Sequence, residues 1–387
     1  MNAESVLFAL LRAAVCGEQV SEEVKTECTA QMLEEVCALA ARHDLAHLVG
    51  HAASALSLVS SPALEKSKRL ALFSVLRYAK LEREYERICA ALEAAEIAFI
   101  PLKGSVLREY YPEPWMRTSC DIDVLVHEED LDAAAAVLEK ELNYRAGEKG
   151  GHDLSLHAES GVHIELHYSM LEEAQVVGSH RVLERFWEES SPCEGKRFHR
   201  EVSDAMFYFY HIAHMAKHVE VGGCGIRTLL DQWILRHRVE HDAAKRSALL
   251  AEGGLAKFEA AACELSELWF SAAPANPVLT QFERFILDGG AYGTIKSCIA
   301  MQQQKTGGTL GYAASKVFLS YDALKLQYPL MEGRRWLLPF MQMRRWGRLL
   351  FCGGLKRSVR ELQINADVSQ EEKSEAEQLL GYLGLEN

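Results

Sequence analysis

Leu102-Lys103-Gly104-Ser105, followed by Asp121-Ile122-Asp123-Val124-Leu125-Val126, is the stretch that decides how this chain reads. A short apolar run, Ile97-Ala98-Phe99-Ile100-Pro101-Leu102, ends at the Gly104-Ser105 turn. The second apolar run carries two aspartates one residue apart. Alternate residues of a strand face the same way, so Asp121 and Asp123 project together while Ile122 and Val124 face a core. Their Cα atoms are then roughly 6 to 7 Å apart, close enough to share divalent ions bound to a triphosphate. Magnesium suits such a pair, because it takes one or two protein carboxylates and fills its octahedron with water and phosphate oxygens. The bland alternative, an exposed edge-strand face, fits less well, because aspartate is depleted in strands otherwise so apolar.

Around this stretch the texture changes twice. Residues 1 to about 95 are helical in pattern, with Ser60-Ser61-Pro62 as a start signal and Pro62 suited to a first helical turn. Ala63 to Ala95 carries Leu70, Leu72, Phe73, Leu76, Leu81, Ile88 and Leu92 at helical spacing, which predicts one long helix or two in line. Ser105 to about Tyr110 starts a further helix, and Glu128 to Leu142 is an Ala-rich one ending at Asn143-Tyr144. His152–His157 and Val162–Tyr168 alternate as strands, joined by Glu159-Ser160-Gly161 with a glycine available for positive φ. Beyond about 175 the chain is helical again. Ser203–His218 and Ile226–Arg238 flank a Gly222-Gly223-Cys224-Gly225 break, and shorter helices continue to about 304. Gly307-Gly308 and Gly353-Gly354 read as flexible points around an aromatic, Arg-rich stretch from Trp336 to Phe351. That stretch reads as core with snorkelling charges. Ser369–Leu380 reads as a last acidic helix, capped by Ser369 and ended by Gly381. The division expected is a helical segment at 1–61, a mixed-sheet core at 62–175 and a helical domain at 176–387. The fold class is α+β, a small mixed sheet embedded in a mainly helical protein.

Composition sets bounds on partners. The chain has 387 residues, 49% apolar and 25% charged, with a net charge of −13. Proteins that grip a nucleic-acid backbone usually show a basic face, so the acidic balance argues against a nucleic-acid partner. Arg334, Arg335, Arg344, Arg345 and Arg348 leave room for a local basic patch. Ten cysteines are scattered singly, without a Cys-x-x-Cys pair, which indicates neither a zinc ribbon nor a redox motif. Glu4 and Arg12 interrupt what a signal peptide would need, and no apolar run reaches the roughly 18 residues of a membrane span. The expectation is a soluble cytoplasmic protein with no membrane partner.

Gly104-Ser105, Asp121-x-Asp123 and a third acid on a later strand resemble the nucleotidyltransferase superfamily that includes the DNA polymerase beta-like and aminoglycoside enzymes. More narrowly, Pro101-Leu102-Lys103-Gly104, Arg117, Asp121–Val126 and Ile164-Glu165-Leu166-His167 resemble the bacterial uncharacterised nucleotidyltransferase family. The motifs cover about 101 to 168. His214, His218 and Leu230-Asp231 continue the likeness into the helices. Fifteen residues separate Ser105 from Asp121, longer than the superfamily spacing, and Tyr111-Pro112-Glu113-Pro114 is expected to loop out and carry Arg117 towards the site.

The resemblance implies an enzyme that moves a nucleoside monophosphate from an NTP to an acceptor. Pyrophosphate leaves, and two magnesium ions sit on Asp121 and Asp123. Glu165 would be the third carboxylate, as metal ligand or as general base; otherwise it is a solvated acid on a hairpin face. Gly104 would let backbone approach the triphosphate and Ser105 hydrogen-bond it. Lys103 and Arg117 would neutralise the β- and γ-phosphates, or else be surface charges near a loop. His167, His214, His218 and Asp231 are candidates for substrate contact. The acceptor stays open, with a small molecule or a peptide or protein favoured. One rival is a nucleotide-holding scaffold without turnover. The other is a metal-dependent hydrolase built on His211, His214 and His218, which share a helix face but lack a His-Glu-x-x-His motif.

Overall fold

A serine at the start of an Ala/Leu/Glu-rich run does here what capping chemistry demands. Ser61 accepts a hydrogen bond from the Leu64 amide, Pro62 occupies the first turn, and one unbroken helix runs Pro62–Ala94. The structure is a computed structural model that describes residues 1–171, 176–240, 242–274, 276, 279–351 and 355–386. Leu81, Ile88 and Leu92 in the second half of the long helix are buried, but Leu72, Phe73 and Leu76 are exposed. The helical spacing of those apolar residues is as expected. Against the first half of this helix Gly50 allows close approach: an added Cβ there would lie 2.3 Å from the Ser67 carbonyl carbon.

The sheet has five strands: β1 (Phe99–Pro101), β2 (Asp121–Val126), β3 (Arg145–Lys149), β4 (Asp153–His157) and β5 (His163–His167). Their order is β1-β2-β5-β4-β3. β2 and β5 are parallel with Asp123 beside Glu165 and Asp121 beside His163. β1 runs antiparallel to β2, and β4 and β5 form the hairpin expected around Gly161, whose φ is +78°. β3 was not expected: it is an edge strand of Arg, Ala, Gly, Glu and Lys, with one small apolar residue, so it lacks the apolar alternation that marks a half-buried strand. The small pair Ser190–Pro192 and Arg200–Val202 escaped notice for the same reason.

Alternation gives the sheet two different faces. Ile122, Val124, Ile164 and Leu166 pack with Leu81, Ile88, Leu92 and Leu138 from the Pro62–Ala94 and Leu131–Leu142 helices. The opposite face carries Asp121, Asp123, Glu165 and His167. Beyond it lies the larger apolar cluster, running from Val6 in the first helix to Leu385 near the end and taking in Leu102, Leu107, Tyr111 and Met116.

The two helices on that side are Asp204–Glu220 and Ile226–Arg238. Between them the glycine run is a tight helix-to-helix turn, as expected. Gly222 has φ +95°, and a Cβ on Gly223 would meet the Tyr292 carbonyl oxygen at 2.0 Å. The last helix is longer than expected. It runs Gln370–Leu383 behind a Ser369/Glu372 capping box, passes through Gly381 and stops at left-handed Gly384. Gly307-Gly308 breaks one helix from the next, with φ of +78° and +88°, whereas Gly353-Gly354 lies outside the described residues.

The Arg-rich aromatic stretch departs most from expectation. Trp336 is 68% and Phe351 89% exposed, and Phe340, Met343 and Leu350 are exposed with them. Only part of the stretch is anchored. Trp346 and Arg345 donate to the Val317 carbonyl and Gln342 to that of Leu319. No helix among the described residues is long and apolar enough to cross a membrane.

Candidate active site

Two adjacent parallel strands bring three carboxylates and two imidazoles to one face. Ligand atoms of Asp121, His163 and Glu165 lie within 4.8 Å of one another, and so do those of Asp123, Glu165 and His167. Glu165 belongs to both groups. The spacing on β2 and β5 allowed this, but only the parallel register sets Glu165 beside Asp123 rather than one residue away.

The three acids are not equivalent. Asp123 is 3% exposed and accepts from Lys103 Nζ and pairs with His167 Nε2, both at 2.9 Å to Oδ1. Burial alone would raise its pKa. The Lys103 charge and the His167 hydrogen bond outweigh burial and hold the carboxyl well below its ordinary range. Asp121 moves the other way, raised first by burial and then by the negative charges of Asp123 and Glu165. His167 is raised as well: burial disfavours its charged form, but hydrogen bonds to Asp123 and Glu165 prevail. Lys103 is likewise raised against burial, by Tyr210 and Asp123. Its backbone sits at φ +41°, unusual for a residue with a side chain, immediately before the Gly104–Leu107 turn of helix.

A buried arginine that the sequence reading passed over braces this turn. Arg108 is 1% exposed; its Nε donates to the Gly104 carbonyl and its Nη2 to Ser119 Oγ, which in turn donates to the Asp121 carbonyl. The signal available was its position four residues after Gly104, just past that turn of helix, where a long side chain reaches back to the turn. Ser105 Oγ is buried and has no protein partner, and His163 Nε2 is in the same condition. Buried polar atoms are nearly always satisfied, so two orphans at one site mark where further donors or acceptors belong.

The loop between Ser105 and Asp121 does carry Arg117 inward, and it ends on Asp231. Arg117 Nε lies 2.8 and 3.0 Å from the two Asp231 oxygens, and Tyr111 donates to Oδ1 at 2.6 Å. Asp231 is 2% exposed and comes from the Ile226–Arg238 helix. From the other side His47 Nε2 meets the Met116 carbonyl at 2.8 Å, and Arg227 reaches Thr118 and Asp44.

A cavity of about 100 Å³ opens beside this loop, and Lys103, Arg117, His214, His218 and Asp231 all line it. Lys103 therefore joins the cavity to the carboxylate face. His214 and His218 face each other with their Nε2 atoms 3.3 Å apart, and His211 Nε2 is 3.0 Å from the Thr228 carbonyl. Burial, then the Lys103 and His218 charges, push His214 well below the ordinary imidazole range. Among the described residues, no group of three metal-ligating side chains includes this helix.

A Gly-Ser turn and an Asp-x-Asp strand, with a third acid on the parallel neighbour, define an α+β nucleotidyltransferase. The family model of uncharacterised nucleotidyltransferases matches residues 29–271, more than half of the chain, and the chain belongs to that family. No curated protein matches it. The family implies a nucleoside triphosphate as substrate and use of a divalent metal, for which the two groups sharing Glu165 are the candidate holders.

Proposed function

We propose that the protein transfers a nucleoside monophosphate from an NTP to a hydroxyl of a small molecule, peptide or protein, releasing pyrophosphate. Residues 62–175 carry the chemistry. The observation behind this reading is that Glu165 is common to two neighbouring ligand groups, one with Asp121 and one with Asp123.

These residues fit magnesium. The donor set is rich in carboxylate oxygen, and burial together with the negative charges of Asp123 and Glu165 raises the pKa of Asp121. Asp121, Asp123 and Glu165 would hold two ions, which when bound supply charge neutralisation for the triphosphate and its leaving group. The chain's own part is orientation. Lys103 and His167 fix Asp123 in one rotamer and keep it ionised. Ser105 offers its unpartnered hydroxyl to a phosphate oxygen beside Gly104, and Arg108 holds that turn rigid. The acceptor hydroxyl attacks the α-phosphorus as the bond to pyrophosphate breaks, and its proton passes to a carboxylate, for which Glu165 is the candidate. Arg117 acts through the loop that Asp231 anchors, and His214 and His218 line the cavity where part of a substrate rests.

The test is calorimetric titration of each of the four NTPs with and without magnesium, together with pyrophosphate release. The wild type is compared with the Asp121→Asn/Asp123→Asn variant. Binding that needs magnesium and disappears in the folded variant is the expected result. Equal turnover by the double variant would sink the mechanism. Magnesium-dependent NTP binding without pyrophosphate release, tested across hydroxyl acceptors, would favour a scaffold instead.

A further inference from the structure

From Gly333 to Arg360 the chain has eight lysines and arginines and no acid, within a protein whose net charge is −13. The helix Leu338–Phe351 lies in the middle of this run. At 3.6 residues per turn, Phe340, Met343, Leu350 and Phe351 fall within about a 100° arc, with Gly347 inside it. All four side chains are exposed. Arg344 and Arg348 follow on one edge of the arc, and Trp336, 6.4 Å from Phe340, extends it at the N-terminal end. The opposite side of the helix is the one fastened to the 316–319 segment through Gln342, Arg345 and Trp346. Phe318, itself exposed, packs edge-on against Trp346 on that fastened side.

The arginines are held ready but not neutralised. Arg344 and Arg348 lie over the Tyr328 ring at 5.3 and 6.0 Å, and Arg335 over Tyr321 at 5.3 Å. Among the described residues, none of Arg334, Arg335, Arg344 and Arg348 has a carboxylate within ion-pair distance. A solvent-facing apolar strip bordered by unneutralised arginines needs a partner that is greasy in the middle and anionic around it.

We propose that this face docks on an anionic lipid surface, with the helix lying in the headgroup plane, the apolar arc dipping towards the acyl chains and the arginines on lipid phosphates. Charge complementarity selects this occupant over two others. A nucleic-acid backbone would engage the arginines but leave Met343, Leu350 and Phe351 in water. A second copy joined by a two-fold axis would set one acid-free cationic stretch against another. Peripheral contact of this kind needs no spanning segment, and none is present among the described residues.

The full-length protein is co-sedimented with vesicles of phosphatidylcholine alone and with vesicles containing phosphatidylglycerol, at low and high salt. Two variants accompany it, Arg344→Glu/Arg348→Glu and Phe340→Ser/Phe351→Ser, each checked for wild-type thermal unfolding because all four side chains are on the surface. The expected result is binding to the anionic vesicles only, weakened by salt and reduced at least about tenfold in either variant. Absence of vesicle binding, equal binding to both vesicle types, or unchanged binding by both variants would overturn the proposal. So would a dimer in sedimentation velocity that the Phe340→Ser/Phe351→Ser variant abolishes, or retention of an RNA oligonucleotide in place of vesicles.

Discussion

The site loop and the C-terminal arginine helix use the same residue types in opposite ways. Around β2 the charged groups are inside: Asp123, Asp231, Arg108 and Arg117 are all largely hidden from water, each matched to a named partner. Around Trp336 to Phe351 the apolar groups are outside and the arginines lack acids. Burying a charge is tolerable only when it is paired and hydrogen-bonded, so the first region is specified by its partners. Leaving an apolar strip in water is tolerable on a stable scaffold and signals something that covers it. Charge density alone does not separate the two regions; what each charge touches does.

That contrast can be broken at several points. The largest effect is expected at Asp231. Asp231→Ala strands the Arg117 guanidinium in the interior and should lower stability by about 3 to 5 kcal/mol, read from the denaturant midpoint. Replacing both charges, Arg117→Met with Asp231→Leu, should recover part of the loss. An Asp231→Ala variant as stable as wild type would mean that the pair is not what holds the loop.

Acid should come next. Burial pushes His43, bonded to the Leu287 carbonyl, down to about 4, whereas in the unfolded chain its pKa is about 6.5. The unfolded state therefore binds the proton first. This contribution is fully present above pH 6.5 and is lost as pH falls towards 4, by up to about 3 kcal/mol. Thermal unfolding followed from pH 7.5 to 5 should show the decline, with a shallower slope in His43→Gln.

A smaller change sharpens the comparison at the site. Ser105→Ala removes a hydroxyl that has no protein partner, so stability should stay within about 0.5 kcal/mol of wild type. Triphosphate affinity should nonetheless fall about tenfold by calorimetry. A marked loss of stability instead would give Ser105 a structural role. The smallest effect belongs to the Leu338–Phe351 helix: Phe351→Ser should change unfolding stability by less than about 0.5 kcal/mol, since the ring is 89% exposed.

Much of the fold was legible in the sequence, for identifiable reasons. β2 and the Ile226–Arg238 helix have the predicted bounds because an alternating run, and a 3.6-residue pattern behind a glycine break, leave few other solutions. The carboxylate set was legible because strand alternation puts Asp121, Asp123 and Glu165 on predictable faces. Partners distant in sequence were not. Nothing in Lys103 announces that its amine lies against Asp123, and Arg117 and Asp231 are 114 residues apart. Periodicity also says which residues share a face without saying whether that face is covered. Phe340 and Met343 on the Leu338–Phe351 helix read as core for that reason, and they are exposed.

The Asp231 anchor has a consequence in time. A ribosome reaches it 114 residues after Arg117, about 6 to 23 seconds later at ~5–20 residues per second. Once Glu165 has been added, the nascent chain holds all three carboxylates and His47, yet the Arg117 loop still waits for Asp231 to close on. A chain that stops between Glu165 and Asp231 therefore carries the acids of the site without the carboxylate that fastens the Arg117 loop.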